Sequence, residues 1–159
     1  MRPARFTASA AGLALLAACA GPAVAPSALT PTQRAVLQHG EWQVVAIDGR
    51  APAAAITLRL AADGRLAGHA GCNGFTGSYT IEGDRFQPVA VASTTAGSLA
   101  VGPLASTRKA CAPAVMADEQ RFLGLLERAN GIAMGSVTGA ADTLQLLTPP
   151  AHRIEARRR

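Results

Sequence analysis

Hydrolysis needs a nucleophile with a base in reach, or two carboxylates flanking a substrate. Ser78, Ser93, Ser98, Ser106 and Ser136 supply hydroxyls, but none stands in a Gly-x-Ser-x-Gly turn. His69 is the one histidine well inside the strand-rich region, and its small alternating neighbours put it on an outer face. Asp118 and Glu119 are adjacent on a helical stretch, so their side chains diverge by about 100° rather than face each other. Glycines 68, 71, 74 and 77 resemble a phosphate-cradling loop only in composition, because the Lys-Ser/Thr ending and the following helix are missing. Regular glycine among strands marks bends instead. A metal site is also poorly supplied: His69 lies three residues before Cys72, but His39 and His152 fall outside the apparent barrel. The expectation is a non-enzymatic chain with no catalytic residue, no cofactor and no metal.

The formal charge of +5 over 159 residues suggests nucleic acid until it is located. Arg2 and Arg5 precede Cys19, and Arg153, Arg157, Arg158 and Arg159 lie at the far end against Glu155. Between them nine basic residues meet nine acidic ones, so the body is neutral. A nucleic-acid binder carries its positive charge on the folded face that meets the phosphates, so nucleic acid is set aside as a partner. With 49% hydrophobic and 16% charged residues the chain is no disordered polymer, and 4% aromatics make its core aliphatic.

Residues 1–18 open with a short basic stretch, run through Phe6 to Leu16 and end on small residues. That is the anatomy of a secretory signal, and Gly21-Pro22 ends the run before it could span a bilayer. Leu16-Ala17-Ala18-Cys19 resembles the lipobox of bacterial lipoproteins. The resemblance implies a diacylglycerol thioether and an acylated amino terminus on Cys19, hence membrane attachment. Ala20 stands where an inner-membrane retention signal would place Asp, which implies the outer membrane, facing the periplasm. Residues 19–37 then read as the lipidated start and a proline-rich tether, with a short helical turn near Thr32–Leu37. With Cys19 acylated, Cys72 and Cys111 are left in an oxidising compartment, and an even remainder there reads as a disulfide.

The elements that must carry these residues are mostly strands. Glu41–Ile47, Ile56–Leu60, Arg65–Gly68, Ser78–Glu82 and Arg85–Val91 alternate or are rich in strand formers, with turns at Asp48-Gly49, Asp63-Gly64 and Gly83-Asp84. Ser98–Val101 and Leu104–Thr107 form another strand kinked at Gly102-Pro103; two more lie near Ile132–Met134 and Thr143–Leu147. Ala114–Arg128 has helical spacing, with Pro113 in its first turn, Asp118 and Glu119 near its start and Arg128 at its end, the order that complements a helix dipole. The fold class is α+β, mainly antiparallel β: a small barrel-like curved sheet with one covering helix. The domain runs over residues 38–149, and residues 150–159 form a frayed basic tail.

Gly71-Cys-Asn-Gly-Phe-Thr-Gly-Ser-Tyr79, followed by Ala105-Ser-Thr-Arg-Lys-Ala-Cys111, resembles the META domain family, of HslJ-like proteins. Trp42 in the first strand, Asp48-Gly49 after it, and Met116–Leu123 in the helix agree. Gly74, Lys109 and a long Val89–Gly102 connection depart from the family pattern. The resemblance implies a barrel-like domain, often a lipoprotein, associated with envelope stress and tolerance of some antibiotics. If the disulfide forms, it joins two distant motifs into one surface, and Asn73, Thr107, Arg108 and Lys109 become candidates for recognising an envelope protein or polymer. Asn73 as a turn residue at positive φ, with Thr107 and Arg108 bonding the neighbouring backbone, is the plainer alternative. Gly40-Glu41-Trp42 also resembles the Gly-x-Trp opening of lipocalins, which implies an apolar ligand in the barrel if side chains do not fill it.

Overall fold

The computed structural model describes residues 29–82, 95–136 and 141–159. The expected signal, Cys19, the start of the expected tether and the expected hairpin around Gly83-Asp84 lie outside the described residues. The elements are α1 (Pro31–His39), β1 (Glu41–Ile47), β2 (Ile56–Leu60), β3 (Arg65–Ala70), β4 (Gly74–Glu82), β5 (Thr95–Val101), β6 (Ala105–Ser106), α2 (Pro113–Leu126), β7 (Gly131–Ser136), β8 (Ala141–Thr148) and β9 (His152–Arg158). All strand pairs are antiparallel. The order β3-β2-β1-β9-β8-β7-β5-β4 closes on itself through the β3–β4 pair, giving an eight-stranded barrel with β6 added outside the cycle on β4. The expected curved sheet is therefore a closed barrel.

The alternation in the sequence becomes the inside and outside of that barrel. In β2, Ile56, Leu58 and Leu60 are buried, while Arg59 between them is exposed. Trp42, Val44, Leu66, Leu99, Ile132, Met134, Leu144, Leu146 and Ile154 join them in one core. Eight strands enclose a space about wide enough for side chains to fill, and this mainly aliphatic set occupies it. Such burial favours a filled barrel over a lipocalin-like cavity. At a close approach between β2, β3 and β4, an added Cβ at Gly68 would lie 2.0 Å from the Thr57 carbonyl oxygen and 2.9 Å from the Phe75 ring. Gly68→Ala is expected to destabilise the fold by about 2–3 kcal/mol, because backbone and ring must both move. A urea midpoint within error of the parent would refute that account.

One helix covers each end. α1 has a full capping box: Gln33 N donates to Thr30 Oγ1, Thr30 N donates to Gln33 Oε1, and Pro31 supplies a preset φ. Its Leu37 is fully buried, and the Trp42 indole donates to the Leu37 carbonyl at 3.0 Å. Gln38 reaches the Tyr79 hydroxyl, which itself donates to the Ala61 carbonyl at 2.7 Å. The expected tether thus ends earlier than residue 37, since from Pro31 onward the chain is packed helix.

α2 covers the opposite end and inserts Phe122, fully buried and edge-on to Phe75 at 5.5 Å between ring centres. Thr148 Oγ1 donates to the Leu125 carbonyl near its last turn. Asp118 and Glu119, expected to complement the helix dipole, do not lie in the first turn. They are buried acids with specific partners, described below. Arg128 lies past the helix end, yet its Nε donates back to the Gly124 carbonyl.

The C-terminal segment corrects the sequence expectation most sharply. Residues 152–158 are not a frayed tail but β9, a full barrel strand between β1 and β8. Ile154 and Ala156 face the core at 0% and 2% exposure, and the arginines around them point to solvent. The domain therefore extends through this strand instead of stopping at residue 149. His152, expected outside the barrel, begins it.

Candidate functional site

The two motifs singled out in the sequence meet at the α2 end of the barrel. Gly71, at φ +92°, turns the chain out of β3 into Cys72 and Asn73, a backbone conformation that favours glycine. Cys72 and Cys111 form a disulfide with Cα atoms 6.0 Å apart across 39 positions of sequence. Cys72 is buried and Cys111 is exposed, so the bond pins a surface segment to the barrel mouth.

Asn73 organises this junction. Its Oδ1 accepts from the Lys109 backbone N–H at 2.7 Å and from Thr107 Oγ1 at 2.8 Å. Its Nδ2 donates to the Lys109 carbonyl at 3.2 Å and to Glu119 Oε1 at 2.9 Å, while its own backbone N–H donates to Glu119 Oε2. One side chain thereby ties β4, the 107–109 segment and α2 together. Asn73 is 1% exposed, which removes it from the candidate contact surface. It lies in the bend between β3 and β4, as the turn-residue alternative has it, but without the positive φ that alternative expects. A buried amide with every bonding position used is a structural hub.

Glu119 is 5% exposed, and both its oxygens accept from Asn73. Sequence reading missed this role, since nothing in a helical Asp-Glu pair marks one acid as the acceptor for a loop on another strand. Asp118, one position earlier, diverges as expected and does different work. It pairs with Arg50 and accepts from the Ala53 backbone N–H at 2.8 Å, holding the β1–β2 connection against α2. The two acids are engaged by different partners.

What remains on the surface is the segment itself. Residues 105–112 are all exposed, including Arg108 and Lys109. Thr107 is tied to Asn73 through its hydroxyl and to Gly74 through its backbone N–H. Of the four expected surface residues, Arg108 and Lys109 present exposed side chains with no bonded partner among the described residues, Thr107 is an exposed anchor, and Asn73 lies beneath. His69 is exposed on β3, as expected. Among the described residues no group of three or more His, Cys, Asp or Glu could hold a metal ion.

A second polar cluster locks the same end. Asp48, at φ +50° in the tight turn after β1, accepts from Arg121 of α2 at 2.7 Å and from the Arg153 backbone N–H at 2.9 Å, with His152 Nδ1 at 3.0 Å. Partial burial pushes its carboxyl pKa up, but the bonds from Arg121, Arg153 and His152 outweigh it and hold the group at about 2, against an ordinary 3.8. A pKa lowered on folding means that stability is fully present above 3.8 and is lost as the pH falls toward 2. Asp48→Asn tolerates the same backbone conformation and is expected to lose about 1–2 kcal/mol at pH 7. Urea titrations of parent and variant should converge at pH 2; a gap unchanged between the two pH values would contradict the assignment.

The META domain model matches residues 35–159, a span that includes the end of α1 and all of β9. Among solved structures, the NMR structure of a protein from Burkholderia xenovorans is 26% identical, with a TM-score of 0.60 over 87% of this chain and 94% of that one. No curated protein matches the chain. With a closed antiparallel barrel, the Cys72–Cys111 staple and a family match over most of its length, the chain belongs to the META domain family.

Proposed function

We propose that this chain is a lipid-anchored lipoprotein of the bacterial cell envelope whose META barrel is a non-enzymatic recognition module. It serves in envelope stress or antibiotic tolerance by binding an envelope protein or polymer. The observation that carries this reading is the 105–112 segment, exposed at every residue yet stapled at Cys111 and bonded through Thr107 and Lys109. Surface segments held this firmly present a face with little left to order on binding. Arg108 and Lys109 project from it without an ion-pair partner among the described residues. The polar groups beneath are engaged with one another, which supports binding over catalysis.

The anchor is Cys19, carrying three acyl chains. Each buried methylene contributes about 0.8 kcal/mol, so three chains make attachment effectively permanent. Labelling cells with an alkyne fatty acid should mark the chain and fail to mark Cys19→Ser.

A photo-crosslinking residue at Ser106 in the exported chain is expected to give a discrete adduct in intact envelopes. The Arg108→Ala/Lys109→Ala variant should lose at least about tenfold of that adduct at unchanged thermal stability, as for loss of two contacting charges. An adduct equally strong in the variant, or equally strong with the probe at Arg59 on the barrel flank, would reject this face.

A further inference from the structure

We propose that the outer edge of segment 105–109 is the docking site for an extended acidic peptide segment, which adds to β6 as a further strand. This deepens the reading of 105–112 as the recognition face, and rests on it.

The backbone carries the argument. β6 pairs with β4 through Ser106 opposite Phe75 and Ala105 opposite Thr76. The Thr107 N–H donates to the Gly74 carbonyl, so odd-numbered residues turn their backbone groups toward the barrel. That period continues past β6, because the Lys109 N–H and carbonyl both bond to the Asn73 amide. The backbone N–H and C=O groups of Ser106 and Arg108 therefore point away from the barrel. Neither residue's backbone has a hydrogen-bond partner among the described residues. The eight-stranded cycle is closed, and β6 lies outside it. Its free side is the edge the barrel leaves open among the described strands.

Open edges invite strand addition, and proteins blunt them with cations. Here the cations also choose the occupant. Arg108 and Lys109 are exposed and fall on opposite faces of the extended segment, since successive residues alternate. A second copy of this chain adding edge to edge would set these cations against one another, which disfavours self-pairing. A strand bearing carboxylates on both faces meets a cation on each. Glu119 cannot compete for them, being buried against Asn73, and Glu127 accepts from the Leu104 N–H. Main-chain bonds then give affinity and the flanking charges give selectivity, as in other strand-addition complexes.

The test uses the 15N-labelled full chain in zwitterionic micelles. It is titrated to millimolar concentration with three probes: an eight-residue peptide with the repeat Glu-Glu-Val-Val, which sets carboxylates on both faces of a strand, its lysine counterpart, and the acidic peptide with every backbone nitrogen methylated. The acidic peptide is expected to shift the amide resonances of Ser106 and Arg108 and to bind at least about tenfold more tightly than the lysine peptide. Full methylation, which keeps the charge and removes the donors, should abolish those shifts. Equal binding of the methylated peptide would overturn strand addition while leaving the face itself as a charge-recognition surface. Shifts confined to other residues, or none, would overturn the edge proposal, and the crosslinking result at Ser106 would then decide the wider reading separately. Tighter binding of the lysine peptide would overturn the assignment of acidic chemistry.

Discussion

Asn73→Ala is expected to destabilise the protein by about 3–5 kcal/mol, the largest loss for a single polar side chain here. The reason is what the truncation leaves behind. Glu119 keeps its buried carboxyl group but loses its Nδ2 donor, and the Lys109 N–H and carbonyl and the Thr107 hydroxyl lose their partners together. Breaking a buried network from one side costs more than the network contributes, because the orphaned groups stay desolvated. The expected loss should therefore shrink when Glu119 is also removed. In a double-mutant cycle, Asn73→Ala with Glu119→Ala should show a coupling of about 1–3 kcal/mol. An Asn73→Ala variant as stable as the parent would return Asn73 to the surface role that its position in the motif suggests. Such a variant is a poor probe of partner binding, because a loss of binding would follow from the loss of the loop's support. Arg108 and Lys109 are the positions to change for that purpose.

Removing the Cys72–Cys111 bond is the second large effect. The bond closes a loop of 39 positions, and the chain-entropy model assigns about 4 kcal/mol to a loop of that length. Cys72→Ser and Cys111→Ser should each lose about that amount, and the double variant should be no worse than either. Chemical denaturation under oxidising conditions measures this directly, and adding a reductant should bring the parent down to the variants. Clearly unequal losses, or a reductant-insensitive parent, would contradict a shared bond. Unlike the hub variant, the Cys111→Ser chain keeps the Asn73 bonds, so the 107–109 segment should stay seated at ambient temperature. The two predictions together separate what the covalent staple holds from what the hydrogen bonds hold.

The fold was largely legible because alternation is local. Ile56, Leu58 and Leu60 declare a half-buried strand within five residues, and Val115, Glu119, Phe122 and Leu126 declare a helix within three turns. The disulfide was legible as well, because it rests on counting sulfurs in a compartment. β9 is hidden in the sequence because its inward signal is only Ile154 and Ala156, set among arginines that read as a solvated end. A strand between two others needs few apolar residues of its own when its neighbours supply the core. α1 reads in the sequence as a turn in a tether because nine residues with one fully buried leucine carry little pattern. Its stability comes from packing on Trp42 and Tyr79 rather than from propensity.

By itself, then, the amino-acid order determined the antiparallel class, the turns, the long helix, the pairing of the two thiols and the resemblance to one family. Those are properties of short windows and of composition. Only the tertiary structure decided that the sheet closes, that the last strand completes it, and which side of the stapled segment is left unpaired. It also moved Asn73 from the surface to a buried hub and gave Glu119 its partner. Burial and hydrogen-bond partnership across 46 positions depend on how closed strands and a covering helix converge in space. No local pattern of side chains records that convergence.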